Sequence, residues 1–257
     1  MRNLLRADGA RLLRSRTFWL CIGGMLLMAA GFIFMQYTAM DYKVPLSRVV
    51  FLPVSFYGIV TAALISLYVG QDFQDGGIRN KVIAGNKRTH VYFSSVIMSC
   101  LACAAVFLVT TFFTAITSYG LFSHDAELTE IFQYCILGLF MSLAYGSLFS
   151  MIALLCRNKT TSIVLCMFIA FFLLFLCLHT NQILMQPEYK NGVLNPHYVT
   201  GAKRWIYELL HDGNPSGQSA QLSAMHCLNP IRFLVCDIIW MGITAACGNI
   251  FRKCDIR

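Results

Sequence analysis

Four stretches of this chain, 17–40, 49–71, 91–123 and 131–156, contain no acidic, basic or histidine side chain. Two more come close: 160–186 holds only His179, near its far end, and about 230–251 holds Arg232 near its start and Asp237 further in. An apolar helix of about 20 residues, rising 1.5 Å per residue, crosses the ~30 Å hydrocarbon core of a bilayer. Each stretch therefore reads as a membrane-spanning helix. The fold class is all-α integral membrane, with six spans at about 17–40, 49–71, 91–122, 131–156, 160–182 and 230–251 in one transmembrane domain, 1–257. Hydrophobic residues make up 57% of the chain and charged residues 12%, about half the ~25% of a soluble globular domain. The first run is longer than the 7–15 residues of a signal-peptide core and a multispanning body follows it, so it reads as a retained span.

Lys and Arg give the orientation. Arg2, Arg6, Arg11, Arg14 and Arg16 precede span 1; Arg79, Lys81, Lys87 and Arg88 follow span 2; Arg157 and Lys159 follow span 4; Arg252, Lys253 and Arg257 form the tail. These are 14 of the 20 basic residues, all on one side, which the positive-inside rule places in the cytoplasm with both termini. The loop between spans 3 and 4 agrees, carrying Asp125, Glu127 and Glu130 without a cation. The net charge of +8 is then a topology signal and an attraction to anionic lipid, and calls for no nucleic-acid partner. Most of the eleven cysteines fall inside spans, including the Cys100–Cys103 pair, where apolar packing explains them better than metal or redox chemistry. Cys227 alone lies near the outer surface, too few for an internal bridge. His179, His197, His211 and His226 match no metal-ligand spacing.

Residues 1–19 read as an amphipathic helix in the inner interface, with Leu5, Leu12 and Trp19 on one side and Arg6, Arg11 and Arg14 away from it, or, since Arg16 breaks the pattern, as a plain basic flank of span 1. Span 2 carries Gly58, Ala62, Ser66 and Gly70 at four-residue intervals, and span 4 carries Gly138, Ser142, Gly146 and Ser150. Such stripes let helix backbones approach closely in lipid, within one chain or across a dimer. The long outer loop, 184–228, contains a helix at 202–211 with Trp205, Ile206, Leu209 and Leu210 on the membrane surface and Lys203, Arg204 and Glu208 wet. Asn229 offers an N-cap and Pro230 a first helical residue for span 6. Asp237 is an intramembrane acid, either paired with Arg232 or hydrated, or part of a substrate path.

The segment 72–90 holds a short helix between two spans. Gly76 and Gly77 break the chain, Ile78, Val82 and Ile83 supply an apolar face, and Gly85-Asn86 ends it. From Asp75 the chain reads Gly-Gly-Ile-Arg-Asn-Lys-Val-Ile-Ala-Gly-Asn-Lys-Arg-Thr-His-Val-Tyr92. With the Arg-rich entry into span 1, this phrase resembles bacterial ABC-2 type permeases, the membrane subunits of ATP-binding cassette exporters. The sharp match covers about 72–92, and Gly77 stands where that family often has Thr. The resemblance implies a coupling helix formed by Asp72, Asp75, Gly76, Gly77, Ile78, Arg79, Lys81, Val82 and Ile83. It also implies an ATPase partner that binds ATP and Mg, a second permease subunit in a homodimer or heterodimer, and a bacterial cell membrane as the location.

No cofactor is expected in this chain. A P-loop needs GxxxxGK[ST], and no Gly-Lys pair occurs here, so any ATPase activity belongs to the partner. Three alternatives remain open. A stand-alone secondary transporter or channel would normally show ionisable or broken helices in several spans, and only Asp237 approaches that. A membrane-embedded enzyme would need paired acids, HExxH, or a nucleophile with its base, and no span supplies them. An accessory or immunity-type membrane protein is the third.

Overall fold

The computed structural model describes residues 1–39, 44–123, 127–156, 158–190, 193–196 and 198–253; Asp125, Arg157, His197, Cys254 and Arg257 lie outside them. Six helical segments are long and apolar enough to cross a membrane: Arg16–Thr38, Leu46–Gln74, Arg88–Tyr119, Leu128–Cys156, Lys159–Leu184 and Pro230–Phe251. Around them lie a helix before the first, a short helix between the second and third, and two helices between the fifth and sixth. The elements are α1 (Arg2–Arg14), α2 (Arg16–Ala39), α3 (Tyr57–Gln74), α4 (Gly77–Ile83), α5 (Arg88–Tyr119), α6 (Leu128–Cys156), α7 (Lys159–Leu184), α8 (Gly201–Gly213), α9 (Pro215–Ser223) and α10 (Pro230–Lys253). A two-residue antiparallel pair, Tyr189–Lys190 with Val193–Leu194, is the sole sheet among the described residues.

Local chemistry sets the boundaries. Ser15 adopts an extended conformation (φ −70°, ψ 122°) that separates α1 from α2. Trp19 therefore belongs to α2, and its indole Nε1 donates to the Leu13 carbonyl at the end of α1 (2.8 Å). The buried face of α1 is Leu4, Asp8 and Leu12; of the expected apolar side, Leu12 is buried and Leu5 half-buried, while Trp19 belongs to α2 and is exposed. The second span begins with two 3-10 turns, Leu46–Arg48 and Leu52–Phe56, with Pro53 in the first turn of the latter. Asn158 Oδ1 caps α7 on the Thr160 amide (3.0 Å), and Asn229 Oδ1 accepts from the Arg232 amide (3.2 Å), so the Asn-Pro start expected for the last span is formed.

Burial is inverted relative to a water-soluble bundle. The α3 and α6 spans are 67% buried in their most apolar windows, whereas the α2, α7 and α10 spans are 28%, 22% and 28% buried. Leu20, Leu27, Phe34, Phe168, Phe175 and Ile231 point outward. Such a belt of exposed apolar side chains is stable in contact with lipid and not with water. The chain is thus a multi-pass membrane protein.

The small-residue stripes pack inside this chain. A Cβ at Gly146 would lie 2.8 Å from the Cys100 Cα on α5, and one at Gly138 would collide with the Phe107 ring on the same helix. On α3, a Cβ at Gly58 would lie 2.6 Å from the Tyr145 hydroxyl of α6, and one at Gly70 would lie 3.0 Å from the Lys159 Cα of α7. Ala62, Ser66, Ser142 and Ser150 are buried along the same faces. Tyrosines on neighbouring helices lock these contacts: Tyr57 donates to the Cys103 carbonyl and Tyr92 to the Thr244 carbonyl (2.7 Å).

Gly146→Leu is expected to cost at least roughly 1–3 kcal/mol, because the neighbour it meets is backbone and cannot turn aside. Gly24→Leu, with no atom within 4 Å of an added Cβ, is the control. A thermal melt in detergent should show a lower Tm for the first and no change for the second.

Candidate functional site

Two polar clusters interrupt the apolar body, one at each end of the bundle. The first surrounds α4. The chain leaves α3 through Asp75, whose carboxylate accepts twice from Gln71 Nε2 (2.8 and 2.9 Å). It then turns at Gly76, which lies in the left-handed region (φ +67°), a conformation that costs glycine nothing. At Gly77 an added Cβ would collide with the Asp72 carboxylate. That side chain occupies the space a larger residue would need, which accounts for glycine at this position.

Asp72 is 2% exposed, so its charge requires partners. Lys81 Nζ on α4 lies 2.8 Å from Asp72 Oδ2 and 2.7 Å from Asp8 Oδ1 on α1. Arg11 forms an ion pair with the remaining Asp72 oxygen and lies over the Tyr68 ring, 4.6 Å from its centroid. Ser94 on α5 donates to Asp8 Oδ2 (2.7 Å), and Tyr68 on α3 donates to the Asp8 carbonyl (3.1 Å). Two carboxylates thus meet two cations, and side chains of α1, α3, α4 and α5 converge on one charge-balanced knot. A buried, fully partnered pair of this kind fixes geometry more than it adds stability, and removal of one partner is costly.

The nine residues expected to act together at this loop therefore divide by position. Asp72, Ile78 and Lys81 hold α4 down; Asp75, Gly76 and Gly77 shape the turn into it; Arg79 faces out. Ile78, Val82 and Ile83 do not form one apolar face: Ile78 is buried, Val82 half-buried and Ile83 71% exposed. In a helix of two turns, residues 78 and 83 fall on opposite sides. Asp8, Arg11, Tyr68 and Ser94 were not legible as parts of this site.

The second cluster sits where α8 and α9 meet. The sequence placed a helix at 202–211 on the membrane surface, but α8 and α9 form a hairpin that enters the bundle. Thr180 on α7 meets His211 Nδ1 (3.1 Å), and Asn214 Nδ2 donates to the Leu173 carbonyl (2.7 Å). Leu173 lies 11 residues before the end of α7, or about 16 Å at 1.5 Å per residue. The return limb climbs α6, from Ser216 at Tyr145 (3.0 Å) to Met225, whose carbonyl accepts from Tyr134 (2.8 Å). Trp205, Ile206, Leu209 and Leu210 are exposed as expected, but Arg204 and Glu208 are not left in water. They pair with each other (3.2 Å), and Arg232 bridges Glu208 (3.6 Å) and Asp212 (3.2 Å).

α9 is buried although its sequence is polar, because its side chains bond to backbone. Gln218 Nε2 donates to the Asp212 carbonyl (2.8 Å), Gln221 Nε2 donates to Asp212 Oδ1 (2.8 Å), and Asn214 Oδ1 caps the helix on the Ser216 amide (3.0 Å). Burial pushes the Asp212 carboxyl above its ordinary range, opposed by Gln221 and Arg232, and pushes His211 below its ordinary value. Asp237 is 0% exposed and is not the partner of Arg232. Among the described residues, neither of its carboxyl oxygens has a hydrogen-bond partner, and Gln218 Oε1 nearby is likewise unbonded. No group of three His, Cys, Asp or Glu residues among the described residues is placed to hold a metal.

Lys81→Ala should lower folding stability by about 3–5 kcal/mol, because Asp8 and Asp72 would lose their shared cation in a buried site. Arg79→Ala, on the exposed side of the same helix, should change it by less than about 0.5 kcal/mol. Denaturant titration of the purified chain measures the difference. No protein-family model matches this sequence, and no curated protein matches it.

Proposed function

We propose that this chain is the membrane-spanning permease subunit of an ATP-binding cassette exporter, with α4 as its coupling helix. Supporting this is one observation above the others: α4 is a rigidly anchored helix that still offers an open surface. Lys81 and Ile78 bind it to α1, α3 and α5, while Arg79, Asn80 and the 71%-exposed Ile83 face away from the bundle. A surface that receives force must be held from behind, otherwise the push is spent on local motion. The sequence phrase from Asp75 to Tyr92 gives the same assignment by resemblance.

In this arrangement both termini and α4 are cytoplasmic, α1 lies along the inner face of a bacterial cell membrane, and the α8–α9 hairpin enters from outside. Two permease subunits, identical or related, stand on two ATPase subunits that bind ATP and Mg. Closure of the ATPases on nucleotide displaces α4, and the Lys81 knot passes that displacement to α1, α3 and α5 together. On α3, Gly58 lies against Tyr145, which holds Ser216 at the start of α9. Motion of α3 therefore has a packed route to the hairpin. The exported substrate on this reading is a peptide, antibiotic or other amphiphile.

A stand-alone transporter driven by protons is the second reading, favoured by the unpartnered Asp237 carboxyl. Replacing residues 76–83 by a Gly/Ser segment separates the two. The exporter reading expects membrane insertion to persist and stimulation of the ATPase subunit to fall at least tenfold, roughly the effect of 1.4 kcal/mol or more of lost coupling. Transport that continues without any ATPase and stops in Asp237→Asn would establish the other.

A further inference from the structure

The end of the bundle that carries α4 also contains a cavity of about 440 Å³ which the ion network leaves open. It forms where α1 stops and α2 starts, with Arg11, Arg14, Ser15, Arg16 and Thr17 on one wall and Tyr68 on the other. Arg11, Arg14 and Arg16 all line it. Asp75 is the one carboxylate on the wall, and Gln71 already donates to both its oxygens. Among the described residues neither Arg14 nor Arg16 has an ion pair. Arg11 is committed to Asp72 through Nη1, but its buried Nε has no acceptor. The lining thus carries three cationic side chains and the hydroxyls of Ser15, Thr17 and Tyr68 against the single carboxylate of Asp75.

Its rim is apolar. Leu13, Trp19 and Leu20 flank the Arg14–Thr17 turn in sequence and are exposed, at 62%, 57% and 75%. Trp19 is held toward that turn by its bond to the Leu13 carbonyl. An indole at the end of a span is the usual marker of the membrane–water boundary. An occupant must therefore present several anionic oxygens to planar guanidinium forks and an apolar portion to the flank of α2.

We propose that this cavity binds the phosphate headgroup of an acidic phospholipid, whose acyl chain lies along the Leu13–Leu20 side of α2. Arg14 and Arg16 hold the phosphate oxygens, Ser15 and Thr17 donate from the turn, and the free Nε of Arg11 completes the set. Because Arg11 also holds Asp72, the lipid stands one residue from the knot that anchors α4.

Native mass spectrometry of the full chain, incubated in turn with phosphatidylglycerol, phosphatidylcholine and inorganic phosphate, tests this. Phosphatidylglycerol should be retained in preference to phosphatidylcholine, and Arg14→Gln/Arg16→Gln should weaken that retention about tenfold or more. Arg14→Lys/Arg16→Lys should keep most of it, and Ser15→Leu, which fills the cavity without removing charge, should lose it. Equal retention of the two lipids would overturn the proposal. So would an equal loss in Arg79→Gln/Lys87→Gln, which would mean diffuse surface charge, or displacement of the lipid by inorganic phosphate, which would mean a site for a soluble anion.

Discussion

Contact with hydrocarbon along the outward faces of α2, α7 and α10 is the constraint on which the rest of the structure depends. Together with the outward face of α5, those faces carry most of the exposed Leu, Ile and Phe side chains, and only lipid tails can surround them without penalty. Lipid tails are as apolar as Leu, so helix association gains little from apolar burial as such. What remains is close packing and interhelical hydrogen bonding. The fold uses both: Gly138 and Gly146 let α6 settle against α5, Gly58 and Gly70 admit Tyr145 and Lys159, and Tyr57, Tyr92 and Tyr145 reach across to neighbouring helices.

The same constraint explains why most charge lies toward the ends and is knotted there, with Asp237 the exception inside a span. Near a low-dielectric slab an unpaired carboxylate is costly, so Asp8 and Asp72 share Lys81 and Asp72 also pairs with Arg11, while Asp212 shares Arg232 with Glu208. Each knot joins segments far apart in sequence, and each holds a short element, α4 or the α8–α9 hairpin, against the long helices. The two ends are connected through continuous packing along α3 and α6.

The six spans were legible because exclusion of charge over twenty or more residues is a one-dimensional signal. The start of α10 was legible from Asn229-Pro230, and α4 from the paired glycines before it. The identical device at Asn214-Pro215 starts α9, yet the polar run that follows reads as a loop, since nothing in Ser216–Gln221 shows an apolar period. Its burial depends on carbonyls of α7, α8 and α10 that only the folded chain provides. The knot around Lys81 was hidden for a similar reason: Asp8 lies 60 residues from Tyr68 and 86 from Ser94. Asp8, an acid within a basic helix, fastens that helix to the bundle through Lys81 and Ser94.

A photoreactive amino acid placed at position 83, irradiated in intact cells, reports most directly on what α4 faces. The account requires a covalent product with an ATP-binding subunit, formed from the cytoplasmic side and lost when the same residue is placed at position 78, which is buried. A product with a protein or reagent confined to the outside, or equal products at both positions, would contradict it.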